Sequence, residues 1–432
     1  MAKYQQFIFD SYHFDEQTGE LSLLYAMDDQ LHFTETFKFD FPFVAYDADV
    51  LDRALQTLFF IAGVSYYKTY VPSEIVIRSG EMDERMASFF TKTYQQGLGE
   101  FWYVNQLDPR TPVIFPGTSP AITPVHHTGQ GQLVAVGGGK DSLVSIELLR
   151  GQGSDITTWS LGHRPQLTPL VEAIGTQHAW VERNWDRKLL ELNAKDAYNG
   201  HIPISAIFGA VGVIVAILTG KRDVVMSNEQ SANEPTLHYQ GLAINHQYSK
   251  SEEFERDFQQ YLTRTFDDSV RYYSFLRPFS EVRISELFSQ IAFARYRDTF
   301  SSCNRAFIHT SDRMSWCGEC PKCAFVFLAL TPFIAREELE TIWSGKNLLV
   351  SPEMEPMYRS LLGIEGDKPL DCVGEVKECR AAMRLAERYY PELAGTYTFE
   401  IVPADYTYDK LGSHEMPQDI YEKFVAATAE LH

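Results

Sequence analysis

Gly137, Gly138 and Gly139 are followed by Lys140, Asp141 and Ser142, between the apolar run QLVAV and the amphipathic run LVSIELLR. Three residues without Cβ let the backbone turn tightly and bring bare amides against phosphate oxygens. The helix start behind them adds its dipole, Lys140 a positive charge, Ser142 a hydroxyl donor, and Asp141 a carboxylate able to hold Mg²⁺ across phosphates. A Walker loop is excluded, because Val134 and Asp141 stand where it needs a glycine and a Ser or Thr. A dinucleotide fingerprint is half matched, with Ser142 at its third glycine, but the next strand-like run, ITTWSLG, ends without the acidic residue that binds a ribose. A purely structural turn is the alternative, and it leaves Lys140 and Asp141 without a role.

A second pattern is metal-like. Cys317, Cys320 and Cys323 recur at every third residue, with Cys303 or His309 as a fourth ligand. Two-residue gaps turn thiolates toward one tetrahedral ion, which suits a closed, structural Zn²⁺ site. Unligated thiols and an iron–sulfur cluster are the competing readings.

Further polar residues fall where a sheet would expose its ligand edge. In VVMSNEQSANEP, Ser227, Asn228 and Glu229 follow a strand-like run, and Glu229 is a candidate Mg²⁺ ligand or base. Asn245, His246, Tyr248, Ser249 and Lys250 are too mixed for a core face and suit an anionic substrate, a solvated loop being the alternative. Cys372, in KPLDCVGEVKECR, is either a small buried hydrophobe or a reactive thiol.

The elements that must position these residues follow from hydropathy. Residues 133–136, 156–161, 178–181 and 223–226 read as strands, and residues 142–150 and 167–174 as helices. Their alternation predicts an α/β fold, a parallel sheet with helices on both faces, whose ligand site lies beyond the carboxyl ends of the strands. Residues 1–120 alternate and then turn helical, which predicts a smaller α+β domain ahead of it. The proline-rich NQLDPRTPVIFPGTSPAITP marks the boundary. The expected division is 1–120, 121–345 with the cysteines, and a mixed segment 346–432 closing the site.

With 432 residues, 44% hydrophobic and 22% charged, the chain can bury cores for two or three domains. A net charge of −20 without a Lys/Arg-rich tract opposes nucleic-acid binding. The start lacks a secretory pattern and the clustered cysteines do not form a disulfide framework, so a cytoplasmic protein is expected. Residues 202–220 are apolar for about a bilayer's width, but Pro203, Gly209 and Gly212 favour a helix buried on the sheet.

The segment GGGKDS resembles the Ser-Gly-Gly-x-Asp-Ser signature of the PP-loop ATP pyrophosphatase superfamily, with Gly137 in place of serine. Together with GHIPISAI, SNEQSANEP, INHQYSKS, Cys303-Asn304, WCGECPKC and KPLDCVGE, it resembles the UDP-N-acetylmuramoyl-L-alanyl-L-glutamate epimerase family of bacterial peptidoglycan synthesis. The resemblance implies a PP-loop, adenine nucleotide α-hydrolase-like fold, with ATP and Mg²⁺ used to adenylylate the terminal glutamate of UDP-MurNAc-L-Ala-L-Glu. AMP and diphosphate would be released with the D-glutamyl product. Gly137, Gly138, Gly139, Lys140, Asp141, Ser142, Asn228 and Glu229 would then hold the nucleotide, Asp141 and Glu229 the magnesium, and Cys303, Cys317, Cys320 and Cys323 zinc. Lys140, Asp141, His246, Lys250 and Cys372 would carry the catalysis. A PP-loop ligase or nucleobase-modifying enzyme, similar to 7-cyano-7-deazaguanine synthase in its cysteines, is the alternative enzyme. An ATP sensor without turnover is the alternative of another class.

Overall fold

A computed structural model describes residues 3–307, 312–399, 406–429 and 431. Strands β1 (Gln6–Asp15), β2 (Glu20–Met27) and β3 (Leu31–Asp40) form an antiparallel meander, and β4 (Glu74–Ile77) lies parallel to β1. Strands β5 (Gln132–Ala135), β6 (Ile156–Leu161), β7 (His178–Asn184), β8 (Asp223–Met226) and β11 (Arg271–Ser274) form the expected parallel sheet. A small hairpin of β9 (Leu237–Tyr239) and β10 (Leu242–Ile244) stands apart.

The two sheets are joined edge to edge. Residues 36–40 of β3 pair antiparallel with residues 184–180 of β7, so one nine-stranded sheet runs in the order β11-β8-β5-β6-β7-β3-β2-β1-β4. The expected end of β7 at residue 181 falls short, because the strand continues to Asn184 against this partner.

Alternate strand residues feed two cores, as a period of two requires. Leu133, Val224 and Tyr272 face one core, while Val134, Val225 and Tyr273 face the other. The first core holds α1 (Ala48–Ala62), α2 (Glu84–Gly97), α4 (Ile204–Thr219) and α5 (Glu252–Phe266). The second holds α3 (Lys140–Gly151), α6 (Glu281–Ile291), α7 (Pro321–Leu330), α8 (Val376–Ala386) and α9 (Gln418–Ala429).

Helix α4 is the apolar segment, buried on nearly every side. A Cβ at Gly212 would come within 2.6 Å of Val224 Cγ1, so its glycine permits close approach to β8. Among the described residues no helix is long and apolar enough to cross a membrane.

Local chemistry sets the helix starts. Ser251 caps α5 by accepting from Phe254 N, and Ser280 caps α6 by accepting from Arg283 N. Glu375 and Glu378 form a capping box on α8.

Candidate nucleotide and proton-transfer site

The glycine loop leaves the carboxyl end of β5 and enters α3, with Gly139 as N-cap. Gly138 has φ +94°, and a Cβ there would lie 2.6 Å from Met314 Sδ and 2.9 Å from the Ser301 carbonyl oxygen. Ser301 N donates to Gly138 O at 2.9 Å, tying the loop to the cysteine-bearing segment. Gly137 has nothing within 4 Å of its would-be Cβ and opens onto a cavity of about 760 Å³. The ends of β6 and β7 line that cavity through Leu161, Gly162 and Arg183, and the amino-terminal unit adds Ser65 and Lys68. Lys68 donates to Asn199 Oδ1 at 2.9 Å and Gly200 O at 3.0 Å, and burial lowers its pKa to about 8.

Under the loop, the buried Lys140 ammonium donates to both Asp141 and Glu281, the first residue of α6. Burial alone would lower the Lys140 pKa, but Asp141 and Glu281 outweigh it and hold the group charged. Asp141 stays below the usual carboxylate range, because Lys140 and Lys322 overcome its burial. Glu281 moves the other way, its burial exceeding the help from Lys140. Carboxylate oxygens of Asp141, Glu229 and Glu281 lie within 4.8 Å of one another, a hard oxygen donor set suited to a divalent cation. Glu281 is absent from the sequence reading; its only signal is an acidic residue after a capping serine, which an ordinary helix start also shows.

Other expected residues have more structural surroundings. Ser142 Oγ donates to Gly139 O at 3.2 Å, and Asn228 Nδ2 to Ser274 Oγ at 2.9 Å. Fully buried Arg277 pairs with Glu255 at 2.9 Å and donates to the carbonyls of Glu229 and Lys250, fixing both segments. Tyr248 and Ser249 turn inward, Tyr248 packing on Phe254 at 5.9 Å between ring centres, so this stretch is partly core after all.

A second group of polar side chains flanks the loop. Lys250 Nζ donates to Cys372 Sγ at 3.1 Å, and Lys322 holds the Cys372 carbonyl. Lys250 is kept charged against its burial by Cys372 and Glu229, with Asp141 adding to them. His246 Nδ1 lies 2.6 Å from Thr236 Oγ1, while Nε2 is buried without a hydrogen-bond partner among the described residues. Burial lowers the His246 pKa to about 4, so the imidazole is neutral near pH 7. His201 packs beside it, ring centres 6.3 Å apart, with Nδ1 3.6 Å from Glu100 of the amino-terminal unit. His201 lies in the GHIPISAI segment, whereas nothing local in the sequence distinguishes Glu100.

Cys303, Cys317, Cys320 and Cys323 converge, every Sγ within 4.8 Å of the others. Backbone amides of Cys317, Gly318, Glu319 and Cys323 donate to these sulfurs at 3.3–3.4 Å, as they would to thiolates around an ion. The four-sulfur set fits tetrahedral zinc. Cys303 completes it, whereas His309 lies outside the described residues.

A glycine loop at the carboxyl edge of a doubly covered sheet, with a lysine and three carboxylates beneath it, defines an α/β protein with a loop of the kind that can cradle phosphate. The chain belongs to the MurL family: residues 1–275 match the MurL N-terminal domain and residues 299–401 the MurL C-terminal domain. The first match spans both the meander and the parallel strands, as the continuous sheet does. The chain is similar to UDP-N-acetyl-alpha-D-muramoyl-L-alanyl-L-glutamate epimerase of Xanthomonas oryzae pv. oryzae, 39% identical over 428 residues, 95% of this chain and 94% of that protein. The protein of the same name from a Micromonospora species is 40% identical over 394 residues, covering 89% and 87%.

Proposed function

We propose that the protein inverts the terminal L-glutamate of UDP-MurNAc-L-Ala-L-Glu to D-glutamate in peptidoglycan synthesis, activating its carboxylate with ATP and releasing AMP and diphosphate. The names of the relatives support the epimerisation. The observation that carries the use of ATP is the glycine loop standing over Lys140, Asp141, Glu229 and Glu281.

The chemistry explains why a nucleotide is needed. Removing the α-proton of a free glutamate places a carbanion beside an existing negative charge. Adenylylation of that carboxylate cancels the charge and lets the carbonyl oxygen accept the electron pair as an enolate. The loop amides hold the phosphates over the buried positive charge of Lys140, and the adenosine occupies the cavity beside Gly137 and Gly162. Asp141, Glu229 and Glu281 would hold Mg²⁺, which supplies neutralisation of phosphate charge when bound. Lys250 adds a positive charge toward the developing oxyanion. His246 and Cys372 supply groups able to move a proton, and water then releases the acid.

Mixing the protein with ATP, Mg²⁺ and the UDP-MurNAc dipeptide should yield AMP, diphosphate and a D-glutamyl product. Formation of ADP, or ATP cleavage with glutamate left L, contradicts the reading.

A further inference from the structure

Inversion at a tetrahedral carbon needs a proton taken from one face and returned to the other, and one fixed side chain cannot reach both faces of a planar enolate. Most polar groups around the loop are already committed. Lys140 bridges Asp141 and Glu281, Lys322 holds the Cys372 carbonyl, and Glu375 and Glu378 cap α8. Two side chains whose ordinary titration lies nearest neutrality stand out: the His246 imidazole, with Nε2 buried and unpartnered among the described residues, and the Cys372 thiol, whose sulfur accepts from Lys250.

Resting on the ATP-dependent inversion read above, we propose that His246 and Cys372 are its two proton carriers, His246 removing the α-proton and Cys372 returning one to the opposite face. Their places connect to the two ends of the activated group. His246 adjoins His201, which lines the cavity that begins at Gly137. Cys372 adjoins Lys250, whose backbone carbonyl Arg277 ties to that of Glu229 beside the loop. His246 precedes one short turn, Tyr248–Lys250, and the Lys250 that holds Cys372 ends it, which keeps the two carriers near each other.

The surroundings suit the roles. A neutral imidazole is a base at rest, and its Thr236 partner can donate to Nδ1 or accept from it, so either state of the ring keeps Nδ1 satisfied. As the Cα–H bond breaks, Nε2 takes the proton and the electron pair enters the enolate of the acyl phosphate. That pair then forms the new Cα–H bond with the proton of the Cys372 S–H, leaving a thiolate beside the Lys250 ammonium. Imidazolium and thiolate exchange protons with water to reset.

The test follows wild type, C372A and H246A in D₂O with ATP, Mg²⁺ and the L-glutamyl substrate, reading deuterium and configuration at the α-carbon. Matching circular dichroism and melting are established first, with C372S and H246N replacing any variant that does not fold. C372A should return L-glutamyl material carrying α-deuterium, with D product down by about 10²–10⁴-fold. H246A should lose both label and inversion. Inversion near the wild-type rate in either variant, identical loss of label in both, or the opposite asymmetry overturns the assignment. Wild type that neither forms AMP nor inverts glutamate overturns instead the reaction on which the assignment rests.

Discussion

Lys140 is buried between the carboxylates of Asp141 and Glu281, so its removal acts on stability as well as chemistry. K140A leaves the buried Glu281 and the half-buried Asp141 without their cation, and stranding the buried carboxylate costs about 3–5 kcal/mol. Its AMP formation should fall by at least about 10²-fold, as for loss of a group that stabilises transition-state charge. D141N should lose comparable activity with a smaller fall in melting temperature, because Lys140 keeps Glu281. Melting curves and AMP assays on both variants check this, and near-normal AMP formation in either removes the loop from the mechanism. Asp141 and Glu229 were legible as acidic residues next to recognisable turns. Glu281 was not, since it reaches Lys140 only after the chain has passed through 141 further residues and four more strands of the main sheet.

The glycine loop makes two adjacent positions behave differently. G138A forces a side chain into positive φ and against Met314 Sδ at 2.6 Å, so it should destabilise the loop and its link to Ser301. G137A meets nothing within 4 Å, so it should keep the melting temperature of the wild type while raising KM for ATP by filling the cavity mouth. Equal melting losses in the two variants would contradict this account of the loop. The cysteine element carries its own prediction: about one zinc per chain, with chelation lowering stability, because a closed four-sulfur site contributes folding free energy. Metal analysis finding none, with all four clustered thiols freely titratable in the native protein, would contradict it. The residue spans 156–161 and 223–226 were legible as strands because both are short runs rich in β-branched residues, and both are buried on two faces. The extension of β7 was not legible: residues 182–184, Glu-Arg-Asn, look like a loop until β3 pairs with them.

At the scale of the molecule, the β3–β7 junction makes the amino-terminal meander one edge of the sheet that carries the site, and Glu100 and Lys68 reach the site from that side. Such edge pairing has no sequence signature, because a meander reads the same whether its last strand faces water or another strand. Burial also gives the whole protein an acid limit. His178, His201 and His246 are lowered by burial to about 3, 4 and 4 from 6.5. A depressed histidine contributes stability that is present above the unfolded value and lost as pH falls through the folded one, here from 6.5 toward 3–4. Shifts of this size correspond to about 3–5 kcal/mol each when complete. These histidines should therefore contribute a fall in unfolding free energy between pH 6.5 and 4, opposed by buried carboxylates such as Glu281 and Glu378, and H178Q, away from the loop, should remove its share of that fall. An unchanged slope in H178Q would contradict the assignment.

The central claim, that the substrate carboxylate itself is adenylylated to acidify its α-carbon, is tested most directly with UDP-MurNAc-L-Ala-L-Glu labelled with ¹⁸O in the glutamate α-carboxylate, turned over in D₂O. Water attacking the acyl carbon leaves a carboxylate oxygen on the nucleotide, so the account predicts AMP carrying one ¹⁸O together with a D-glutamyl product bearing deuterium at its α-carbon. Inverted glutamate accompanied by unlabelled AMP, or inversion without any ATP cleavage, would contradict it.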